Sequence, residues 1–134
     1  MIFLDTSFLV SVEVKTDQNH EKATKIMNKI IEGDFGEPII SDYIFDETIT
    51  VTFGRTKDLG KSVSVGENLR DSTKMIKMDE QSFENAWEIF KSQEYTRFSF
   101  TDCTTVSIIK KEDIANIATF DDDFRKVKGI NVVS

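Results

Sequence analysis

The sequence begins MIFLDTSFLV (residues 1–10), in which the apolar run Ile2–Leu4 ends directly at an aspartate, Asp5. Three consecutive apolar residues at this position predict a short buried β-strand. An unpaired carboxylate buried among apolar side chains costs several kcal/mol, so Asp5 is expected at the end of the strand. In parallel α/β sheets, functional loops gather at the carboxyl ends of the strands. This stretch therefore predicts both the first strand of a sheet and a candidate functional carboxylate.

Short apolar runs alternate with amphipathic stretches along the rest of the chain. The predicted strands cover residues 2–4, 38–40, 74–78, 114–118 and 130–133, and the predicted helices cover 19–32, 42–53, 79–92 and 102–111. Strands that alternate with helices predict an α/β fold whose mainly parallel sheet is covered on both faces. The more polar stretch 54–66 is left without a predicted element. The apolar stripes within 44–53 and 83–90 are expected to face the core.

Length and composition indicate one soluble domain over residues 1–134. Apolar residues make up 39% of the chain and charged residues 31%, an ordinary balance for a globular protein. The one cysteine, Cys103, excludes an intrachain disulfide and favours a reducing compartment. No basic leader precedes the first strand, and no apolar run approaches the ~20 residues that a membrane helix needs. We therefore expect a cytoplasmic protein that does not associate with membranes.

The formal net charge of −7 argues against a protein that coats nucleic acid through a basic surface. It is compatible with a protein that concentrates acidic side chains in one place and neutralises them with metal ions. Cationic residues that could still contact a nucleic-acid backbone form two clusters in the sequence, which are Arg55, Lys57 and Lys61, and Arg125, Lys126 and Lys128. An ordinary solvated surface position is the alternative for each of them.

Acidic residues recur where strands end and helices begin. Besides Asp5, these positions hold Glu47 in SDYIFDETITVTF (41–53), Asp102 in FSFTDCTTVSII (98–109), and Asp121, Asp122 and Asp123 in NIATFDDDF (116–124). Thr101 is predicted to cap the helix of Asp102, which places this carboxylate at the positive end of the helix dipole. Each acid alone has an ordinary explanation as a turn, cap or surface residue. Their coincidence near one edge of a sheet predicts a shared site.

Three or four carboxylates close together repel each other, and their pKa values rise unless cations neutralise them. Hard divalent ions such as Mg²⁺ bind oxygen ligands, and they can activate water and stabilise the leaving oxygen in phosphodiester cleavage. A zinc site is excluded because the chain has only one histidine, His20, and one cysteine, Cys103. The sequence also lacks a Walker loop and a GxGxxG motif, which argues against binding of a nucleotide cofactor.

These motifs, the last of which extends to IATFDDDFRKV (117–127), resemble in order the acidic motifs of PIN-domain ribonucleases. The similarity is closest to the small single-domain kind that includes VapC toxins. Each motif alone is weakly specific, whereas four in order cover nearly the whole chain. The resemblance implies a three-layer α/β/α sandwich with a central, mainly parallel sheet. It also implies cleavage of RNA with Mg²⁺ or Mn²⁺, an antitoxin protein as partner and a homodimer.

Carried over by motif, the resemblance assigns catalytic and metal-binding roles to Asp5, Glu47, Asp102 and Asp121. Hydroxyls that would hydrogen-bond these carboxylates are matched by Ser7, Thr101 and Thr119. The register of the last motif favours Asp121 over Asp123, which stays a candidate additional ligand. Asp46 lies beside Glu47, and the family's pattern of apolar neighbours favours Glu47.

Two alternatives from other classes remain at this stage. A receiver-type phosphoacceptor domain has a similar length, but the predicted strands 38–40 and 74–78 are followed by residues that open helices and offer no clean phosphoacceptor. A PIN-like binding module with vestigial catalysis would keep the fold and hold a protein or RNA partner. The complete set of acids argues against this module without excluding it.

Overall fold

The computed structural model describes residues 1–134 and contains five strands, six α-helices and one 3₁₀ helix. In chain order these are β1 (Ile2–Leu4), α1 (Thr6–Glu13), α2 (His20–Ile31), β2 (Pro38–Ser41), α3 (Asp42–Thr56), α4 (Leu59–Ser72), β3 (Lys74–Ile76), α5 (Glu80–Lys91), α6 (Phe100–Lys111), β4 (Asn116–Ala118), the 3₁₀ helix (Asp122–Lys126) and β5 (Asn131–Val133). All five predicted strands are present, with ends that differ by one or two residues.

The five strands form one sheet in the order β3-β2-β1-β4-β5, and every neighbouring pair is parallel. Helix α1 packs against α2 and α3, α3 packs against α4, and α5 packs against α6. The predicted three-layer α/β/α arrangement with a central parallel sheet is therefore confirmed. This strand order differs from the 2-1-3-4-5 order of receiver-type domains, which removes the phosphoacceptor alternative.

The position of β1 explains why its end is a suitable place for a site. The chain leaves β1 towards β2 and β3 on one side, whereas β4 and β5 lie on the other side. The boundary between β1 and β4 is therefore the point at which the strand order reverses, where parallel sheets leave a crevice outside the strand ends. Leu4 pairs with Ala118 at this boundary, so the residues that follow them emerge side by side.

The core is built around β1. Ile2, Phe3 and Leu4 are all buried, and Phe8 and Cys103 are buried against the same cluster. Such a cluster, removed from water on all sides, is the main source of folding free energy. The prediction that Cys103 is a small core residue is confirmed.

Two helical segments differ from the sequence prediction. Helix α1 was not predicted, because Phe8, Leu9 and Val10 are all buried and a helix buried all round has no amphipathic period. The stretch 54–66 is helical except around Lys57, where α3 ends in the left-handed conformation (φ 53°), and Asp58, which caps α4. No helix of the chain has both the length and the apolar character needed to cross a membrane.

The apolar stripes expected in the core are partly on the surface, and the prediction was wrong for four of their aromatic residues, while Phe45 does pack against the core. Ile44 is buried, but Phe53 is 47% exposed, and on α5 Phe83, Trp87 and Phe90 are 40%, 44% and 38% exposed. Helix α5 has the predicted amphipathic pattern, but α6 covers only part of its apolar face. We call the surface formed by Phe83, Trp87, Phe90 and Phe100 the aromatic patch.

Candidate active site

Asp5 lies at the carboxyl end of β1 and is held between β1 and β4. Its side chain is only 4% exposed, and its backbone N–H donates to the Ala118 carbonyl at 3.1 Å. The carboxylate oxygen Oδ2 accepts two hydrogen bonds of 2.7 Å, from Ser7 Oγ and from Thr119 Oγ1. Burial raises the pKa of Asp5 and the Glu47 charge adds to the rise, while the hydrogen bonds from Ser7 and Thr119 oppose it.

Thr119 connects Asp5 to the acidic loop that follows β4. Its Oγ1 accepts a hydrogen bond of 3.1 Å from the backbone N–H of Asp121, and Ser7 Oγ accepts one of 3.0 Å from the N–H of Phe120. The Asp121 side chain then caps the 3₁₀ helix by accepting from the N–H of Asp123 at 2.9 Å. The loop is therefore fixed against the end of β1 by the two hydroxyls that also hold Asp5.

Asp102 lies in the first turn of α6, but the cap of this helix is not the predicted one. The N-cap is Ser99, not Thr101, because Ser99 and Asp102 form a reciprocal capping box in which each side chain accepts from the other's backbone N–H. Burial raises the pKa of Asp102 to about 6; the charges of Asp5 and Asp121 add to the rise, and the hydrogen bonds from Ser99 oppose it. Asp102 therefore shares one electrostatic environment with both acids.

Glu47 and Asp46 occupy different environments on α3. Glu47 is half-buried, its side chain makes no hydrogen bond within the chain, and its charge acts on Asp5. Asp46 is exposed. The structure therefore brings Glu47, and not Asp46, to the edge of the sheet where Asp5 lies.

Two predicted site residues are placed elsewhere. Both carboxylate oxygens of Asp123 are in use, because Oδ2 accepts from the Arg97 N–H at 2.8 Å and Oδ1 accepts from Lys126 Nζ at 2.6 Å. The hydrogen bond from Lys126 is the main reason that the pKa of Asp123 is lowered. Thr101 makes no side-chain hydrogen bond to any of the acids, and only its carbonyl oxygen accepts one, from Thr104. Asp123 is thus engaged by the surrounding loop, and the Thr101 side chain makes no hydrogen bond to Asp5 or the other acids.

The acids have the right chemistry for a divalent cation but do not form a closed ligand set as they lie. No three His, Cys, Asp or Glu side chains converge on a common metal position. The carboxylates of Asp5 and Asp102 nevertheless have raised pKa values, because they are buried near other negative charges. A hard cation would relieve this repulsion, and oxygen donors are the ligands it prefers.

The basic residues near the acids are mostly engaged. Lys126 pairs with Asp123, Arg125 Nε donates to Asp122 at 3.1 Å, and Lys61 lies 4.0 Å from Glu13. Arg55 Nη1 donates to Asp17 Oδ2 at 2.8 Å, at a cavity that Ser7 also lines. Sequence reasoning missed Asp17, whose only signal was its place in the polar stretch TDQNH (16–20) before α2.

Comparison with known proteins supports this reading of the fold and the motifs. The sequence matches the PIN domain family over residues 2–130. It is 25% identical over 126 residues to the 23S rRNA-specific endonuclease VapC20 of Mycobacterium tuberculosis, covering 92% of each chain. It is 29% identical over 152 residues to ribonuclease VapC6 of Methanocaldococcus jannaschii, covering 98% of this chain and 95% of that one.

Solved structures show the same architecture. The crystal structure of M. tuberculosis VapC20, described as a Sarcin-Ricin loop cleaving toxin, superposes with a TM-score of 0.86 at 24% identity and full coverage of both chains. A chain of the DNA-bound VapBC2 structure from Rickettsia felis superposes with a TM-score of 0.70 at 14% identity, covering 99% of this chain and 98% of that one. At these identities the superpositions establish the fold.

Proposed function

The chain belongs to the PIN domain family, and we propose that it is an endoribonuclease that hydrolyses RNA phosphodiester bonds with Mg²⁺ or Mn²⁺ as cofactor. One observation carries the proposal: the buried carboxylate of Asp5 is held by Ser7 and Thr119 at the point where the strand order reverses. The charges of Glu47 and Asp102 act on the same place. The names of the VapC relatives support the choice of RNA as substrate.

The residues proposed to hold the cofactor are Asp5, Glu47, Asp102 and Asp121. When bound, a divalent cation supplies charge neutralisation at the substrate phosphate and polarisation of the attacking water. The donor chemistry fits because all four side chains offer carboxylate oxygens, and two of them have pKa values that burial and neighbouring acids raise.

Side chains of the protein orient the carboxylates and the attacking water. Ser7 and Thr119 orient the Asp5 carboxylate through two hydrogen bonds of 2.7 Å to one oxygen, Oδ2. Ser99 holds Asp102 at the first turn of α6. Glu47 has no hydrogen-bond partner within the chain and is half-buried, so its carboxylate is available to orient an attacking water and accept its proton.

The proposal is tested by cleavage of a mixed pool of single-stranded and structured RNA with Mg²⁺, Mn²⁺ or EDTA. We expect cutting by the wild type only with metal, and its loss in Asp5→Asn and in Glu47→Gln. Asp46→Asn is the matched control, because it changes a neighbouring but exposed carboxylate. Cutting that survives EDTA, or persists in both site variants, would contradict the proposal.

We also propose that the chain is the toxin of a toxin–antitoxin pair and acts in the cytoplasm, where RNA is its substrate. VapBC complexes among the structural neighbours support an antitoxin partner. An apolar groove of about 510 Å³ between α1, α2 and α4, lined by Leu9, Met27 and Leu69 among others, offers a surface for it. Self-association through the aromatic patch is proposed as well, because its three α5 side chains are 38–44% exposed.

The alternative function is a PIN-like binding module whose catalysis is vestigial. A folded wild type that binds divalent metal and a partner, but cuts no RNA in the pool, would favour this alternative. The intact hydrogen-bond network around Asp5 favours the nuclease, because a site that had lost its chemistry would have no reason to retain a buried carboxylate.

A further inference from the structure

A shallow cavity of about 250 Å³ borders the acidic site on the side of α1 and α3. Its lining includes Thr6, Ser7, Asn19, Arg55 and Phe120, and we call it the Arg55 pocket. Ser7 and Phe120 belong to both places, since Ser7 donates to Asp5 and accepts from the N–H of Phe120. The pocket therefore adjoins the carboxylate site. A nucleic-acid strand bound at the carboxylates would reach the pocket.

The guanidinium of Arg55 is held in this pocket by one contact. Its Nη1 donates to Asp17 Oδ2 at 2.8 Å, and the Asp17 side chain is only 15% exposed while that of Arg55 is 41% exposed. An arginine carries five N–H donors in a rigid plane. The other donors of Arg55 have no partner within the chain, so they are free for a ligand.

Asp17 is itself fixed, which makes it a suitable support. Its Oδ1 accepts from the Asn19 N–H at 2.8 Å and lies 2.9 Å from Ser11 Oγ. Ser11 Oγ also lies 2.8 Å from the Ser7 carbonyl oxygen, so its single proton serves one acceptor at a time. The pocket and the turn that carries Ser7 are thus built as one hydrogen-bonded unit.

Thr6 is a further polar residue of the pocket. It lines the pocket and is 7% exposed, yet its Oγ1 has no hydrogen-bond partner. Buried hydroxyls in folded proteins normally have a partner. Thr48, Thr52 and Thr105 also have buried hydroxyls without a partner, so the spare donors of Arg55 are the feature that points to a ligand that accepts hydrogen bonds.

We propose that the Arg55 pocket binds a phosphate of the RNA strand next to the one that is cut, with Asp17 as the residue that positions Arg55; this rests on the proposed nuclease function. Arginine is suited to the role because its planar fork matches phosphate oxygens. The chain has a net charge of −7, and two cations beside the acidic loop, Lys126 and Arg125, are paired with Asp123 and Asp122. Arg55 is paired as well, with Asp17, but it borders a cavity that Ser7 also lines and keeps further donors for a phosphate.

An RNA phosphate is favoured over a carboxylate of an acidic protein partner because the pocket shares Ser7 with the acidic site. A strand cut at the acids that continues past Ser7 would enter the pocket and place a neighbouring phosphate beside Arg55.

The experiment measures binding of a fluorescent single-stranded RNA, in Mg²⁺, to Asp5→Asn protein with and without Arg55→Gln. We expect Arg55→Gln to weaken binding roughly tenfold, as for loss of a charged hydrogen bond. The slope of log affinity against log salt should fall by about 0.7, the value for one phosphate contact on a single strand. Arg55→Lys should restore the slope and only part of the affinity, and Asp17→Asn should weaken binding less than Arg55→Gln.

Arg70→Gln is the matched control, because Arg70 is an exposed arginine near the end of α4, just before the edge strand β3, and it does not line the Arg55 pocket. In the cleaving protein, Arg55→Gln should raise KM with kcat nearly unchanged. If Arg55→Gln leaves KM, affinity and salt slope unchanged while the wild type cleaves RNA, this inference is overturned and the proposed nuclease function is retained. If Arg55→Gln instead lowers the melting temperature and kcat and leaves KM unchanged, the role of Arg55 is structural, and the inference is also overturned.

Two further outcomes are decisive. If Arg55→Gln abolishes binding of an acidic peptide probe, poly-glutamate, and leaves RNA binding unchanged, the pocket serves a protein partner and the inference is overturned. If the wild type neither binds nor cuts RNA, both the inference and the proposed function fail.

Discussion

Thr119 Oγ1 donates a hydrogen bond of 2.7 Å to Asp5 Oδ2, although the two residues are 114 positions apart in the chain. The contact joins the end of β4 to the end of β1 at the centre of the sheet. Because the same hydroxyl accepts from the N–H of Asp121, one side chain sets the position of both the carboxylate and the acidic loop.

We expect Thr119→Val to impair both stability and cleavage. The substitution keeps the shape but leaves the buried Asp5 carboxylate with one donor fewer, which costs about 1–3 kcal/mol of the free energy of unfolding. Loss of a group that orients a ligand typically reduces activity by about 10–100-fold. Urea unfolding and the rate of RNA cleavage measure the two effects.

Thr48→Val is the control for this change. Thr48 is fully buried like Thr119, but its Oγ1 has no hydrogen-bond partner. Replacing an unsatisfied hydroxyl by a methyl group should leave stability unchanged or raise it. Equal destabilisation by the two substitutions would mean that the contact with Asp5 carries no special energy.

Asp5→Asn should remove cleavage while the fold persists. Burial raises the pKa of Asp5 because the charged carboxylate is unfavourable at this position, so the neutral amide should melt at the same or a higher temperature. The loss of rate should exceed ~100-fold, beyond what groups that merely orient a ligand contribute. An unfolded Asp5→Asn protein would show that the carboxylate is structural.

Stability without metal should rise as the pH falls from 7 to 5. Burial raises the pKa of Asp102 in the folded protein to about 6, above the roughly 3.9 of an unfolded chain. The folded state therefore binds more protons in this window, and the stabilisation is lost again as the pH rises through the folded pKa. The gain should be on the order of 1 kcal/mol, discounted because Asp102 is partly solvated.

Urea unfolding in EDTA at the two pH values measures this gain, and Asp102→Asn should reduce the dependence to the part that the raised pKa of Asp5 contributes. The lowered pKa values of Asp17 and Asp123 act in the opposite direction, but their contribution is lost only at lower pH. A wild type that is less stable at pH 5 than at pH 7 would contradict the prediction.

How much the sequence could predict is clear from particular residues. The apolar run before Asp5 placed β1, because a carboxylate cannot continue a buried strand. The capping pattern from Ser99 to Asp102 was also present in the sequence, but Thr101 is an equally good cap by residue type, so only the geometry decides. The pairing of Arg55 with Asp17, 38 positions apart, has no local signature.

The aromatic patch shows a different limit. Periodicity in α5 correctly predicted which residues share a face, but it cannot tell what covers that face. In the structure α6 buries Ala86 while leaving Trp87 44% exposed. The contribution of a neighbouring element, or of a second chain, is information that one helix does not contain.

The rings of the aromatic patch are packed against one another. Trp87 stacks on Phe90 with an interplanar angle of 10°, and the ring of Phe100 contacts both edge-on at centroid distances of 6.3 Å. Exposed aromatic clusters of this kind are uncommon on monomers and mark interaction sites. Because the rings are already packed against each other, little side-chain entropy would be lost on association.

We therefore expect Trp87→Glu to shift the chain to monomer in sedimentation velocity across a dilution series in which the wild type forms dimers. A charge placed among Phe83 and Phe90 would have to be desolvated in the interface, which costs more than its pairing with Lys91, whose Nζ lies 5.8 Å from the centroid of the Trp87 ring, would return. Tyr95→Glu is the matched control, since Tyr95 is an aromatic residue that is 82% exposed and lies outside the patch. A wild type that stays monomeric at every concentration would show that the aromatic patch does not bind a second copy.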